Sequence, residues 1–242
     1  MAKIIHFPYL VQQAGPEHLE RILATERVAF TNEPHEPAEG LQKLMELGNI
    51  FIIPGVDAVT EIIELDKLLG VNPESLPQES PLRMVLENDK GHGILRRAAH
   101  DFEGRKVFYR HGTAVPEEHR RKGYGFMLTQ ESQKRPLSEE SVVISYVMAD
   151  PPNVPSLGMS FKTGGFVRRL ENEVYGKEVP YFIVAHDKKT NVSVNYTLEI
   201  PFGDLFLESA AYLLSKGYSA TGIIFEKPKK RGPTLLQFNK IL

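Results

Sequence analysis

The residues most capable of chemistry lie close together, in one apolar stretch and the turn that follows it. Tyr109 and His111 are two positions apart, and Arg120, Gly123 and Gly125 then form the pattern R-x-x-G-x-G. A histidine, with an unperturbed pKa near ~6.5, accepts a proton at neutral pH, whereas a tyrosine, near ~10, does so only when its pKa is strongly lowered. Glycines at the start of a helix let backbone N–H groups approach an anion. The segment therefore indicates proton transfer beside an anion-binding turn.

The turn does not match the common nucleotide-binding motifs. Arg121 and Lys122 add positive charge to it, but R-x-x-G-x-G is short enough to arise by chance. Neither the Rossmann fingerprint G-x-G-x-x-G nor the Walker loop G-x-x-x-x-G-K-[ST] occurs in the chain. A dinucleotide or nucleoside-triphosphate site is therefore disfavoured, and a second motif is needed to interpret the turn.

That second motif follows the next apolar run. From Asn153 to Phe166 the chain has an asparagine, a small residue three positions later, a helical stretch and the ending Lys-Thr-Gly-Gly-Phe. Together with the strand that ends at Val115 and the turn Arg120–Gly125, this segment resembles the GNAT acetyltransferase superfamily, with one extra residue before the phenylalanine. The resemblance is close over residues 107–185 and reaches the first third only through the order of its elements.

The resemblance implies acetyl-CoA as co-substrate and an α/β fold, a GNAT-like mixed central sheet flanked by helices with a small C-terminal α/β extension. The pantetheine arm would lie between the strands 107–115 and 142–148. The N–H of Val115 would stabilise the oxyanion of a tetrahedral intermediate. The residues expected to bind the cofactor are Ala114, Val115, Arg120, Arg121, Lys122, Gly123, Tyr124, Gly125 and Asn153.

Acetyl transfer to an amine requires a base, because an alkylammonium with a pKa near ~10 is not nucleophilic at neutral pH. Side chains alternate along a strand, so His111 is expected on the same face as Tyr109 and Val115. His111 is the preferred candidate for the base and Tyr109 the competing one, and the family commonly carries its base at these two positions. The alternative for His111 is a half-buried histidine without a catalytic role.

The acid that protonates the departing thiolate is harder to assign. Many members of the family place a tyrosine on the helix that follows the asparagine, and Ser160 or Phe161 occupies that place here. Tyr146, Ser160, a water molecule and unassisted departure of the thiolate all stay open.

Helix-start prolines, apolar spacing and turn residues predict the elements around these motifs. In chain order they are a strand at Ile4–Phe7, helices from Pro16 and over Pro37–Leu47, a hairpin of Ile50–Pro54 with Ala58–Leu65, a short helix at Pro81–Glu87, a loop at Gly91–Gly93, a strand at Val107–Val115, a helix from Phe126, a strand at Val142–Met148, a helix at Pro155–Lys162 and a hairpin of Phe166–Val174 with Tyr181–Ala185.

The last part of the chain predicts a strand at Val192–Ile200, a helix at Asp204–Ser215 and two more strands around a basic turn. We divide the chain into a GNAT-like acetyltransferase domain, residues 1–188, and a C-terminal α/β extension, residues 189–242. The extension is expected to cover one side of the core or to mediate homodimerisation.

The extension also echoes the segment before it. Lys162–Phe166 and Ser215–Tyr218 each combine a helix end, a glycine and an aromatic residue that begins a strand. Two interpretations are open, a partial internal repeat or the chance likeness that any helix–glycine–hairpin unit would show.

Composition limits the remaining possibilities. The chain has 242 residues, a formal net charge of −2 and no cysteine, which excludes disulfides, thiolate metal sites and cysteine nucleophiles. The near-neutral balance argues against a dedicated nucleic-acid binder, and the basic run Lys227–Arg231 is expected to be a solvated hairpin loop. We expect no metal, no membrane contact and a cytoplasmic protein.

The sequence thus predicts an N-acetyltransferase that moves an acetyl group from acetyl-CoA to a primary amine, on a small molecule or a peptide, by direct attack on the thioester. The main alternative is a catalytically silent acyl-CoA-binding module. A nucleic-acid-interacting protein that uses the basic turn is a third possibility.

Overall fold

The structure is a computed structural model that describes residues 11–29, 35–134, 140–172, 174, 179–190, 192–224 and 235–241. The strand expected at Ile4–Phe7 and the basic turn at Lys227–Arg231 lie outside these residues.

Ten strands among the described residues form one sheet. They are β1 (Gln12–Gln13), β2 (Gly48–Ile53), β3 (Ala58–Glu64), β4 (Lys106–Ala114), β5 (Ser141–Met148), β6 (Gly165–Glu171), β7 (Tyr181–Asp187), β8 (Val192–Pro201), β9 (Tyr218–Ile224) and β10 (Leu235–Ile241). Their order across the sheet is β1-β2-β3-β4-β5-β7-β6-β9-β10-β8. The β4–β5 pair is parallel and the other paired neighbours are antiparallel, so the mixed sheet expected from the sequence is confirmed.

The helices in the described part of the chain are α1 (Leu19–Ala29), α2 (Ala38–Leu47), α3 (Leu65–Leu69), α4 (Pro81–His92), α5 (Ile94–His100), α6 (Tyr124–Lys134), α7 (Val154–Lys162) and α8 (Phe206–Ser215). Short 3₁₀ turns precede α1 and α6.

One prediction for this region was wrong. The segment Gly91–Gly93 is not a loop, because α4 continues through Gly91 and ends at His92. Gly93 then adopts a left-handed conformation, with φ of 62°, and separates α4 from α5. Glycine suits such a position because it has no Cβ to clash with the backbone. The sequence also gave no warning of α3 or α5, which are short.

The strands bury both faces of the sheet. Along β2, Ile50 and Ile52 pack in the core beneath α1, α2, α4 and α5, whereas Phe51 and Ile53 pack with Leu128 of α6 on the opposite face. Alternating side chains of one apolar strand thus reach opposite layers. The sheet therefore has helices on both sides, and a ligand in the sheet plane can meet residues from either layer.

A β-bulge interrupts β4 next to the predicted site. Thr60 pairs with Thr113 and Ile62 pairs with Arg110, so two steps along β3 match three steps along β4. The extra residue lies in the segment His111–Gly112. A bulge of this kind reverses the side-chain alternation of everything that follows it.

The bulge corrects one expectation of the sequence analysis. Ala114 packs in the same core cluster as Tyr109, whereas Val115 packs beside Leu128 of α6 on the other face. Tyr109 and Val115 therefore do not share a face. Strict alternation was a reasonable rule, but it fails where one strand carries an additional residue.

The sequence echo corresponds to two β-α-β-β units, β5-α7-β6-β7 and β8-α8-β9-β10, which meet where β6 pairs with β9 at Val167 and Ala220. Each helix ends two positions before a glycine in the left-handed region, with φ of 83° at Gly164 and 81° at Gly217. Each hairpin also has a register shift. In the strand order β5-β7-β6-β9-β10-β8, corresponding strands of the two units lie at equal distances on either side of the β6–β9 pair. The two units are therefore related by an approximate twofold axis within one sheet.

Residues of the C-terminal extension share a core with the preceding unit. Phe206 and Ala210 of α8 and Phe238 of β10 lie in one buried cluster with Val184 of β7 and Leu157 of α7. Within the described residues, every helix is too short or too polar to cross a lipid bilayer.

Candidate active site

The site begins where β4 and β5 separate. The two strands pair from Lys106 with Ser141 to Arg110 with Ser145 and then diverge, although each continues for several residues. A cavity of about 460 Å³ occupies this split. Its lining comes from both strands and from α7. Further lining residues belong to β3, α1, α4 and the segment just before α2. The gap expected between these two strands is therefore present.

One wall of the cavity is acidic and surrounds His111. Glu26 of α1, Glu61 of β3 and Glu36, just before α2, line the cavity with the histidine. Their exposed fractions are 4%, 2% and 1%, respectively. Charged side chains are rarely buried so completely unless other groups bind them, so the partners of each carboxylate determine its state.

Glu36 has the fullest set of partners. Its carboxylate accepts hydrogen bonds from the Ser80 hydroxyl at 2.8 Å and from the Leu82 N–H at 2.5 Å, and its Oε1 lies 3.2 Å from Nε2 of His111. Ser80 and Leu82 belong to the N-terminus of α4, where unpaired N–H groups and the helix dipole favour a negative charge. A Cβ at Gly40 would collide with the same carboxylate. Glu36 is therefore held in place as the partner of His111.

Glu26 and Glu61 are in a different state. Burial, followed by the charge of Glu61, raises the pKa of Glu26 to about 9. Burial likewise raises the pKa of Glu61, against the opposing charge of His111. One oxygen of Glu61, Oε1, is buried and accepts no hydrogen bond from the residues that the structure describes. At neutral pH Glu26 therefore carries a proton, and the wall can take up a cation by releasing that proton.

His111 is poised between these groups. Burial lowers its pKa, but the hydrogen bond and negative charge of Glu36, with the charge of Glu61, outweigh burial and raise the pKa above its usual value. The contact between Nε2 and Glu36 leaves Nδ1, which is buried and has no hydrogen-bond partner among the described residues. In the neutral ring Nε2 carries the hydrogen and Nδ1 is the free basic atom.

Tyr109, the competing candidate, lies deeper. Its side chain is completely buried in the core and does not line the cavity. The ring packs against His111 at a centroid distance of 5.8 Å and against Tyr146 at 5.4 Å. The Tyr109 ring therefore packs against His111 from the core and helps to fix the orientation of the imidazole.

The other wall of the cavity carries one buried cation. Arg110 is 4% exposed, and its Nη2 donates to the Ser145 hydroxyl at 3.0 Å and lies 3.5 Å from the Ser160 hydroxyl of α7. Burial lowers its pKa to about 10, so it stays charged at neutral pH. Nη1 is buried and has no hydrogen-bond partner in the part of the chain that the structure describes. The neighbouring His186 is neutral at neutral pH, because burial, followed by the charge of Arg110, lowers its pKa well below the usual value.

The predicted anion-binding turn lies at the start of α6, outside the cavity lining. Arg121 and Gly123 both have left-handed backbone, with φ of 63° and 88°. Arg121 and Lys122 are exposed. Arg120 is directed elsewhere, because its side chain donates to the carbonyls of Val115 and Ala29, each at 3.1 Å. The backbone of the turn and the two exposed cations, rather than Arg120, are thus available to an anion.

Gly125 connects this turn to the cavity. A Cβ at this position would lie 3.2 Å from Sδ of Met159 and 3.6 Å from the side chain of Val115. Met159 lines the cavity and also accepts a hydrogen bond from Thr129 of α6 at 3.4 Å. The small residue lets α6 and α7 approach each other beside the split.

Asn153 is the N-cap of α7, since its Oδ1 accepts the N–H of Ser156 at 3.1 Å. It also lines the cavity. Of the site residues named from the sequence, His111 and Asn153 line this cavity, whereas Tyr109, Ala114, Val115 and the turn Arg120–Gly125 are not among its lining residues.

The residues that give the site its charge were not predicted from the sequence. Glu61 stands inside the apolar strand Ala-Val-Thr-Glu-Ile-Ile-Glu, and a charged residue in such a run is a usable signal. Arg110 gave a similar signal in β4. Glu26 and Glu36 gave none, because their meeting with His111 depends on the packing of α1 and α2. Among the described residues, no three acidic or histidine side chains are arranged to hold a metal ion.

No protein-family model matches the sequence, and no curated protein is significantly similar to it. Solved structures of N-acetyltransferases are similar in fold. The mosquito arylalkylamine N-acetyltransferase like 5b has 12% identity and a TM-score of 0.49, and 72% of this chain aligns with 97% of it. The ribosomal-protein-S18-alanine N-acetyltransferase from Escherichia coli has 12% identity and a TM-score of 0.47, with 77% of this chain aligned to 97% of it. NAA60 of Arabidopsis thaliana, solved with acetyl-CoA, has 15% identity and a TM-score of 0.46, with 72% of this chain aligned to 96% of it.

What the chain shares with these structures is the fold, a mixed sheet flanked by helices.

Proposed function

We propose that this protein is a GNAT-type N-acetyltransferase that transfers an acetyl group from acetyl-CoA to a primary amine. The observation that carries the proposal is the cavity in the split, with a histidine–carboxylate pair on one wall and the glycine-containing helix N-terminus beside it. A split sheet can admit an extended arm along unpaired strand backbone. The turn can take the phosphates of the cofactor.

In this proposal His111 is the general base. Glu36 holds the imidazole through Nε2, so Nδ1 accepts the proton that the amine loses as it attacks the thioester carbonyl. The new N–C bond forms, the C–S bond breaks, and CoA leaves as a thiolate. The raised pKa of His111 means that the neutral, active form accumulates as pH rises.

Glu26 and Glu61 determine how the acceptor arrives. An amine is positively charged at neutral pH. The buried carboxyl groups that line the cavity beside His111 attract that charge. Binding of the ammonium displaces the proton of Glu26, because the cation lowers the pKa of the carboxyl group. The Glu26 carboxylate then accepts one proton from the ammonium to give the neutral amine, and His111 accepts the second proton as the N–C bond forms. The geometry thus favours a cationic amine over a neutral acceptor such as a hydroxyl.

The proposal is tested by incubating the purified protein with acetyl-CoA and a panel of primary amines while free thiol is measured. Mass spectrometry identifies the acetylated product. Thiol release that depends on an amine and on acetyl-CoA supports the proposal. Binding of CoA without turnover across a broad panel of amines and peptides would instead support the silent acyl-CoA-binding module.

The pairing of Glu36 with His111 favours the enzyme over the silent module. A buried carboxylate that fixes one nitrogen of a histidine and leaves the other free on a cavity wall is an arrangement for proton transfer. A module that only binds CoA has no need of it. His111→Gln distinguishes the two, because it removes the base and should leave affinity for CoA near that of the wild type.

A further inference from the structure

We propose that Arg110 stabilises the thiolate of CoA as it leaves, in place of a proton-donating acid. This inference rests on the proposed function and deepens it. It starts from the buried cation on the wall opposite His111.

The guanidinium of Arg110 is incompletely paired within the described residues. Its neighbours through Nη2 are the neutral hydroxyls of Ser145 and Ser160, and no carboxylate of the described residues lies within ion-pair distance. A buried charge without a counterion is costly, since its hydration has been lost. Such a cost is tolerable in a site whose ligand brings the missing negative charge.

Arg110 lies at the point where β4 and β5 begin to separate. It occupies the last paired position of β4, opposite Ser145 of β5, and it lines the cavity with Ser160 of α7. An arm that runs between the diverging strands ends at this closed end. The guanidinium therefore lies where the sulfur of such an arm would arrive.

The two walls of the cavity carry groups with different chemical roles. His111 and the carboxylates lie on one side of the cavity, where they accept a proton and attract a cation. Arg110 lies on the other side and offers positive charge. In the reaction the amine nitrogen bonds to the carbonyl carbon, the electron pair of the C–S bond passes to sulfur, and the amine proton goes to His111. Sulfur then carries one negative charge, which Arg110 balances without giving up a proton.

Other candidates for this role fit less well. The hydroxyl of Ser160 lies beside Arg110, but its ordinary pKa is far too high for it to act as an acid without help. Tyr146 packs with Tyr109, on the side of His111. Arg110 is the charged group that reaches the sulfur side of the split.

The test measures the pKa of the CoA thiol while CoA is bound, from the ultraviolet absorbance of the thiolate. Protein with desulfo-CoA provides the blank, and free CoA provides the reference value. An adjacent buried cation should lower the thiol pKa by about 1–3 pH units in the wild-type complex. Arg110→Lys should keep part of the shift, whereas Arg110→Met should return the thiol pKa to that of free CoA or above it.

Two controls separate charge from packing. Arg105→Met removes a cation whose guanidinium pairs with Asp187 at 2.7 Å, outside the cavity, and should leave the thiol pKa unchanged. Tyr146→Phe tests the competing hydroxyl and should also leave it unchanged. If Arg110→Met does not fold, the wild-type shift and the Arg110→Lys value still decide the matter.

The outcomes distinguish this inference from the proposed function. If CoA binds and amines are acetylated while the bound thiol pKa equals or exceeds that of free CoA, the role of Arg110 is overturned and the acetyltransferase stands. A shift that persists in Arg110→Met also overturns it. If CoA does not bind to the wild-type protein, both proposals fail.

Discussion

The two walls of the cavity bury charge in opposite ways. On the acidic wall, Glu36 is matched by hydrogen-bond donors and by His111, and Glu26 avoids charge by keeping a proton. On the basic wall, Arg110 stays charged and has only neutral partners. Within the described residues, the acidic wall supplies hydrogen-bond donors for Glu36 and a proton for Glu26, whereas the basic wall supplies no anion for Arg110. The difference indicates that protons are exchanged on the first wall and that negative charge arrives at the second.

The largest expected effect comes from removing the base. General-base catalysis typically contributes about 10²- to 10⁴-fold, so His111→Ala should lower kcat by that order while the Kd for acetyl-CoA stays near that of the wild type. Steady-state kinetics and calorimetry measure the two quantities. Tyr109→Phe is the matched comparison and should cost less, since the ring does not line the cavity. Retention of most of the activity in His111→Ala would place the base elsewhere.

The second prediction concerns stability. Because the folded pKa of Glu26, about 9, exceeds that of the unfolded chain, the folded state holds a proton that the unfolded state loses above about pH 5. Stability therefore falls as pH rises from 5 towards 9. Glu26→Gln keeps an acceptor for the Glu36 N–H and removes the titration, so it should be more stable than the wild type at pH 8 by about 1–3 kcal/mol.

Urea denaturation at pH 5 and pH 8 checks this prediction. The difference between Glu26→Gln and the wild type should largely disappear at pH 5, where both side chains are neutral. An equal difference at both pH values would show that the effect comes from packing rather than from the proton.

The third prediction tests the turn at the start of α6. Gly123→Ala introduces a side chain at a φ of 88°, which should cost about 1–2 kcal/mol of stability and weaken CoA binding several-fold. Gly158→Ala on α7 is the control, because a Cβ there meets open space and alanine favours a helix. Thermal unfolding and calorimetry with CoA should separate the two variants. Unchanged CoA affinity in Gly123→Ala would remove the turn from the binding site.

The smallest expected effect is a shift along the pH axis. Glu36 raises the pKa of His111, so kcat/KM of the wild type should rise with pH through a midpoint above the ordinary histidine value of about 6.5. Glu36→Gln removes the charge and keeps an acceptor for Ser80 and Leu82, so the midpoint should move to lower pH. An unmoved midpoint in this variant would show that another group sets the pH dependence.

Much of the fold followed from local rules. The strands and helices around Tyr109 to Phe166 were predicted because their apolar periods, prolines and glycines are strong local signals. The loop predicted at Gly91–Gly93 was wrong because a helix tolerates Gly91 when its other residues pack well. The face assigned to Val115 was wrong because a bulge depends on how two strands pair, and one strand alone does not reveal it.

By itself the sequence determined most of the elements from Tyr109 to Phe166, the glycine turn at the start of α6 and the candidacy of His111, because each depends on residues adjacent in the chain. Tertiary structure decided what surrounds that histidine. Glu26 and Glu36 reach it through the packing of α1 and α2, and Glu61 reaches it across a strand pair. Arg110 faces the opposite layer because alternate residues of a strand point to opposite sides of a sheet. Charge and proton affinity at a buried site depend on neighbours distant in sequence, so only the folded chain could define them.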